Sequence, residues 1–88
     1  MSEKSWPITI KLTNKRGLDP KVASEMAVVA TACDCDEVTL TWNSRTADAR
    51  SIVALLSLGA EHGDMLRLQA SGRQAQQALD GLIAIIQK

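Results

Sequence analysis

The sequence predicts an α+β protein: a two-layer open sandwich in which a four-stranded antiparallel sheet carries three helices on one face. Three observations lead there. The chain has 88 residues, enough for one domain spanning residues 1–88 and near the lower end of what folds on a single core. Segments of period two alternate with segments of helical period, in the order strand, helix, strand, strand, helix, strand, helix. Every strand segment has one apolar face and one face of Thr, Lys, Asp, Arg and Gln, so one side of the sheet is covered and the other open. Apolar residues make up 45% of the chain, with no Phe or Tyr and two Trp. The core must therefore be built from small aliphatics, which suits helices packed closely on a sheet.

After a short polar leader, Trp6 to Leu12 alternates, with Ile8, Ile10 and Leu12 on the inward face. Asp19-Pro20 then changes the period. Proline disfavours helical angles in the residue before it but suits the first helical position itself. Val22, Met26, Val29, Ala30 and Cys33 follow as one stripe of a helix ending near Cys33. Glu37 to Trp42 alternates again, with Val38, Leu40 and Trp42 inward. Asn43-Ser44 is a hairpin signal leading to Arg45–Ala49, whose inward residues Ala47 and Ala49 are small enough for something bulky to pack over them. Ser51 to Leu58 begins with a good N-cap, is apolar almost throughout and closes at Gly59, which predicts a helix of about two turns. Five large apolar residues exceed what one buried face of so short a helix can use, so part of it should be exposed. Glu61-His62-Gly63 is a turn, Met65 to Ala70 a strand with Leu66, Leu68 and Ala70 inward, and Ser71-Gly72 a turn. In the last helix Ala75, Ala78, Leu79, Leu82 and Ile86 mark the buried stripe, while Arg73, Gln76, Gln77, Asp80 and Gln87 face water.

Ten basic and ten acidic residues cancel, so no global field points to nucleic acid or to an anionic membrane. The charges are uneven: five basic residues lie between Lys4 and Lys21 against Asp19 alone, whereas Asp34 to Glu37 holds three acids. No apolar run is long enough to span a bilayer, and the first seven residues lack the apolar core of a signal peptide. A cytoplasmic protein is expected. Cys33 and Cys35, separated by one residue, supply only half of a zinc site and would close a strained ring, so two reduced thiols at a helix end are expected in a reducing compartment. No metal and no cofactor is expected.

Asn14 to Ala23 is the stretch on which function turns. Asp19 reads as an N-cap whose carboxylate accepts from the free N–H of Lys21 or Val22, its charge favoured by the helix dipole. The same geometry suits a small anion: free N–H groups, a helix N-terminus, and Lys15, Arg16 and Lys21 around the turn. A helix cap alone is sufficient to explain the residue.

Gly17-Leu18 opening a helix, the run Ser51-Ile-Val-Ala-Leu-Leu-Ser-Leu-Gly59, and Ala70-Ser71-Gly72 ahead of the last helix together resemble HPr, the histidine-containing phosphocarrier of the bacterial sugar phosphotransferase system. The resemblance covers nearly the whole chain. In that family Gly-Leu-His is followed by a residue, Arg and Pro; the histidine accepts a phosphoryl group from Enzyme I and the arginine helps hold it. The matching positions here read Gly17-Leu18-Asp19-Pro20-Lys21-Val22. Asp19 thus stands at the acceptor position and Lys21 at that of the arginine, with Arg16 and Lys21 as phosphate-binding candidates. The only histidine, His62, falls in a turn after the second helix. Ser51 matches the serine that an ATP-dependent kinase phosphorylates in some members, where a phosphate would meet the helix N-terminus and Arg50. Ile52, Val53 and Leu56 match the apolar patch that docks Enzyme I and other partners.

An imidazole is a good nucleophile near neutral pH, whereas a capped carboxylate is held as the anion and is less reactive. The resemblance therefore implies a divergent regulatory or adaptor member of the phosphotransferase system that cannot carry phosphohistidine. Two alternatives stay open: a carrier forming an acyl phosphate on Asp19, and a binding module unrelated to sugar transport. The expected partners are Enzyme I-like or other phosphotransferase-system proteins and, at Ser51, a serine kinase. Neither nucleic acid nor membrane insertion is expected. A free-standing enzyme is not expected either, since no base sits beside a nucleophile and the chain is too short to enclose a deep pocket.

Overall fold

The computed structural model describes residues 7–88. The polar leader and Trp6, where the sequence starts its first strand, lie outside the described residues. The elements run β1 (Ile8–Lys11), α1 (Pro20–Ala32), β2 (Glu37–Trp42), β3 (Arg45–Asp48), α2 (Ile52–Ser57), β4 (Met65–Ser71) and α3 (Ala75–Ile86). This is the βαββαβα order expected, with all pairings antiparallel and the strands arranged β1-β4-β2-β3.

Alternation sends the predicted side chains into one layer. Leu12, Leu40, Leu66 and Leu68 are fully buried, and Val38, Ala47, Ala49 and Ala70 nearly so. They meet Val22, Met26 and Ala30 of α1, Leu55 of α2, and Ala75, Ala78, Leu79, Leu82 and Ile86 of α3 in one cluster. α1 also buries Ala23 and Ala27, whereas the predicted Val29 and Cys33 are only partly covered. α1 and α3 approach closely at Gly81, where a Cβ would come within 2.9 Å of Val29 Cγ1. Ile8, expected inward, is 39% exposed. β1 is an edge strand and Ile8 its first residue, with a neighbouring strand on one side only. Asn43 and Ser44 both have positive φ (52° and 63°), the geometry of a tight primed hairpin turn between β2 and β3.

The chain leaves α1 through Cys33, whose extended backbone (φ −82°, ψ 152°) ends the helix. The Cα atoms of Cys33 and Cys35 lie 5.5 Å apart, and the two are joined as a disulfide. The expectation of two free thiols is thus corrected.

Candidate functional site

Two helix N-termini carry the candidate residues. At the first, Asp19 adopts extended angles (φ −87°, ψ 174°) ahead of Pro20, as the Asp-Pro pair requires. Its Oδ1 accepts from the Val22 N–H at 2.8 Å and its carbonyl from the Ala23 N–H at 2.9 Å. Of the two predicted cap donors, Val22 is the one used. Asp19 Oδ2 lies 3.9 Å from Arg16 Nη1, with side-chain exposures of 26% and 62%; solvent screens so open a pair, and it contributes a few tenths of a kcal/mol at most, about 0.3.

The turn before Asp19 is set by Asn14. Its Oδ1 accepts from the Arg16 N–H at 3.0 Å and its carbonyl from the Gly17 N–H at 3.0 Å. Gly17 has φ +67°, and a Cβ there would lie 3.2 Å from both Glu61 Cα and the His62 nitrogen. A glycine is needed for the backbone angle and for the close approach alike. The Leu18 N–H donates to Ala60 O at 3.2 Å, so the loop is stitched to the segment following α2. His62, assigned from sequence only to a turn, therefore has its backbone against Gly17.

A shallow hollow of about 190 Å³ opens beside this turn, lined by Asn14, Arg16, Lys21, Val22, Glu25 and Lys88. It brings together Arg16 and Lys21 as the sequence suggested, but not Lys15, and adds one cation and one anion the sequence reading missed. Lys88 arrives because the end of α3 is tied to the loop, Ile86 O accepting from the Thr13 and Asn14 N–H groups; no local pattern signals that contact. Glu25 was legible as a neighbour of Lys21 and Val22, one turn further along α1.

At the second N-terminus, Ser51 Oγ accepts from the Ala54 N–H at 3.2 Å, the cap expected. Arg50 does not behave as expected. Its Nε donates to Ala30 O at 3.3 Å and its Nη2 to Cys35 O, while its N–H donates to Asp48 Oδ1 at 2.9 Å. The guanidinium thus serves one carbonyl in the last turn of α1, whose orphan acceptors attract a cation, and one in the turn that follows it, and is engaged there rather than at Ser51. α2 buries Leu55 and, just past its end, Leu58, while Ile52 (40%), Val53 (75%) and Leu56 (36%) remain exposed. The far end of the helix is held by Arg45, whose Nη1 donates to Ser57 O at 3.5 Å.

Both candidate regions lie on the surface, and among the described residues no group of His, Cys, Asp and Glu could hold a metal. No described helix is long and apolar enough to cross a membrane. Comparison with known proteins carries this further. A family model described as the PTS HPr component phosphorylation site matches residues 7–88. The phosphocarrier protein HPr of Vibrio cholerae is 32% identical over 77 residues, covering 88% of this chain and 89% of the relative. The phosphocarrier protein NPr of Shewanella violacea is 31% identical over 77 residues, covering 88% of this chain and 84% of the relative. The crystal structure of HPr-C-His from Thermoanaerobacter tengcongensis matches with a TM-score of 0.86 at 26% identity, covering 93% of this chain and 91% of that one. The chain belongs to the HPr family of the phosphotransferase system.

Proposed function

We propose that this protein is a divergent regulatory or adaptor member of its family, one that docks phosphotransferase-system proteins in the cytoplasm without carrying phosphohistidine and without catalysing a reaction of its own. The observation that carries the reading is the contrast at Asp19. On the Gly17-Leu18 motif we read Asp19 as standing at the family's acceptor position; its carboxylate is already used as a helix cap, Oδ1 to the Val22 N–H at 2.8 Å, and Lys21 follows two residues on. The apolar patch of Ile52, Val53 and Leu56 is meanwhile exposed, Val53 at 75%, as a docking surface requires. Enzyme I-like proteins are the natural partners, with Ser51 as a site for a serine kinase where one is present.

One observation favours a second reading, transfer through Asp19. Only Oδ1 is engaged by the cap; Oδ2 faces Arg16, which also lines the neighbouring hollow together with Lys21 and Lys88. An incoming phosphoryl group would find cations and a helix N-terminus there. A binding role unrelated to sugar transport is the third, since fold does not dictate function.

The deciding experiment is intact-mass analysis after incubation with phosphoenolpyruvate and Enzyme I from the same organism, with a histidine-bearing HPr as control. No phosphoryl gain, with the control modified, is expected. A single gain that is labile to hydroxylamine and lost in Asp19→Asn would establish the aspartyl carrier and overturn the adaptor reading. Binding of Enzyme I, measured by calorimetry in parallel, separates the adaptor from the unrelated module: its absence sinks the first two readings together.

A further inference from the structure

The turn that leaves α1 is a junction. Asp34 exchanges two hydrogen bonds with Gln74 ahead of α3, its N–H donating to Oε1 at 2.7 Å and its carbonyl accepting from the Gln74 N–H at 3.0 Å. The Asp36 N–H donates to Ser71 O at 2.7 Å, and Gly72 lies so close that a Cβ on it would fall 2.6 Å from Cys35 Cα. Arg50 spans the same turn, from Ala30 O to Cys35 O. Inside this junction sit the only two cysteines, bonded to each other. Both are only partly buried, and Cys33 lines an open hollow of about 290 Å³ between α1 and α3 with Val29, Ala32, Gln74, Gln77 and Ala78.

We propose that Cys33 and Cys35 form a reversible dithiol–disulfide site that exchanges with a low-molecular-weight thiol couple, and that Arg50 transmits its state to the start of α2. The hollow gives a small thiol access on the Cys33 side. In the reduced protein the Cys33 thiolate attacks one sulfur of the oxidised couple, releasing one half as a thiol and leaving a mixed disulfide on Cys33. The Cys35 thiolate then attacks the Cys33 sulfur; the internal bond forms and the second half leaves as a thiol. The two cysteines lose two electrons and two protons, and the two released thiols carry them away. Transmission follows from a shared acceptor. Ala30 O lies 3.2 Å from Cys33 Sγ as well as 3.3 Å from Arg50 Nε. A disulfide sulfur has no proton to donate there, but a thiol does, so reduction gives the carbonyl that Arg50 uses a second donor. Arg50 immediately precedes the Ser51 cap of α2, and its own N–H is held by Asp48.

The inference needs neither phosphoryl transfer nor partner docking, so its test stands apart from that of the proposed function. The full chain is reduced, equilibrated against mixtures of glutathione and glutathione disulfide, and followed by alkylation and intact mass. Loss of two hydrogens in one transition is expected, and Cys35→Ser should trap one glutathione on Cys33. Amide hydrogen exchange at Ala54 and Leu55 should differ by about threefold or more between the two ends of the titration, as a local opening reports. That difference should vanish in Arg50→Gln, or in Arg50→Lys where the first variant loses helicity, while the disulfide still forms. Absence of an internal disulfide at every ratio, or an adduct on Cys35 in Cys33→Ser but none on Cys33 in Cys35→Ser, overturns the site. Exchange that is the same in both redox states, or a difference that survives in the Arg50 variants, overturns the transmission.

Discussion

α1 and α2 start in the same way and end up as different kinds of surface. Each opens with a side-chain oxygen that accepts from an N–H three residues on, Asp19 to Val22 and Ser51 to Ala54. Beyond that the helices diverge. α1 runs 13 residues and buries five of them, whereas α2 runs six and buries only Leu55. The first N-terminus brings its own negative charge and is ringed by polar and basic groups; the second has a neutral cap and leads straight into exposed aliphatic side chains. A capped N-terminus is thus a neutral starting material. What surrounds it sets the two apart: charged side chains in one case and bare hydrocarbon in the other.

The sharpest way to break the comparison is to remove the single anchor of α2. Leu55→Ala, at a fully buried position, should destabilise the protein by about 3 kcal/mol in urea unfolding, and a loss below about 1 kcal/mol would show that α2 is held by something other than its core contact. Gly17→Ala should cost about 2 kcal/mol, from the positive φ and the backbone of Glu61 and His62 beneath it. An unchanged denaturation midpoint would mean that the loop can re-form away from its neighbour. Asp19→Ala should lose about 1 kcal/mol while Asp19→Asn, an equally good cap, stays within about 0.5 kcal/mol of the native protein. Equal losses in both would indicate that the charge rather than the cap matters. The smallest effect on stability is expected from Val53→Ser, within about 0.5 kcal/mol. The same variant should weaken binding of an Enzyme I partner about tenfold or more by calorimetry, since exposed apolar groups at the centre of a docking patch carry most of its affinity; undiminished binding would place the contact elsewhere.

Elements with a local signature were legible in the sequence. Alternation at Val38 and Leu40 or Leu66 and Leu68, the Asp19-Pro20 start, the Asn43-Ser44 turn and the excess of apolar residues in α2 each report on neighbours a few positions away. What escaped depends on contacts distant along the chain. Arg50 reads as a cation beside Ser51, yet it serves carbonyls 15 and 20 residues earlier. Lys88 joins the hollow beside Lys21 only because Ile86 O holds the loop at Thr13 and Asn14. The spacing of Cys33 and Cys35 argued for two separate thiols, yet the two are joined. Ile8 continues the alternation faultlessly and still lies exposed, because pattern records a face and not a strand's place in the sheet.

The contact between Gly17 and the Glu61-His62 backbone bears on how such a chain can change length. The segment from Leu12 to Asp19 and the segment from Gly59 to Asp64 are laced together, Leu18 to Ala60 and Leu12 to both Gly63 and Asp64. Surface loops ordinarily absorb insertions cheaply, but here an added residue in either segment would push the other out of register. The spacing between Asp19 and the tail of α2 therefore behaves as a fixed gauge. A mate that touches both must match it, and homologous chains that share mates should vary in length almost anywhere else first.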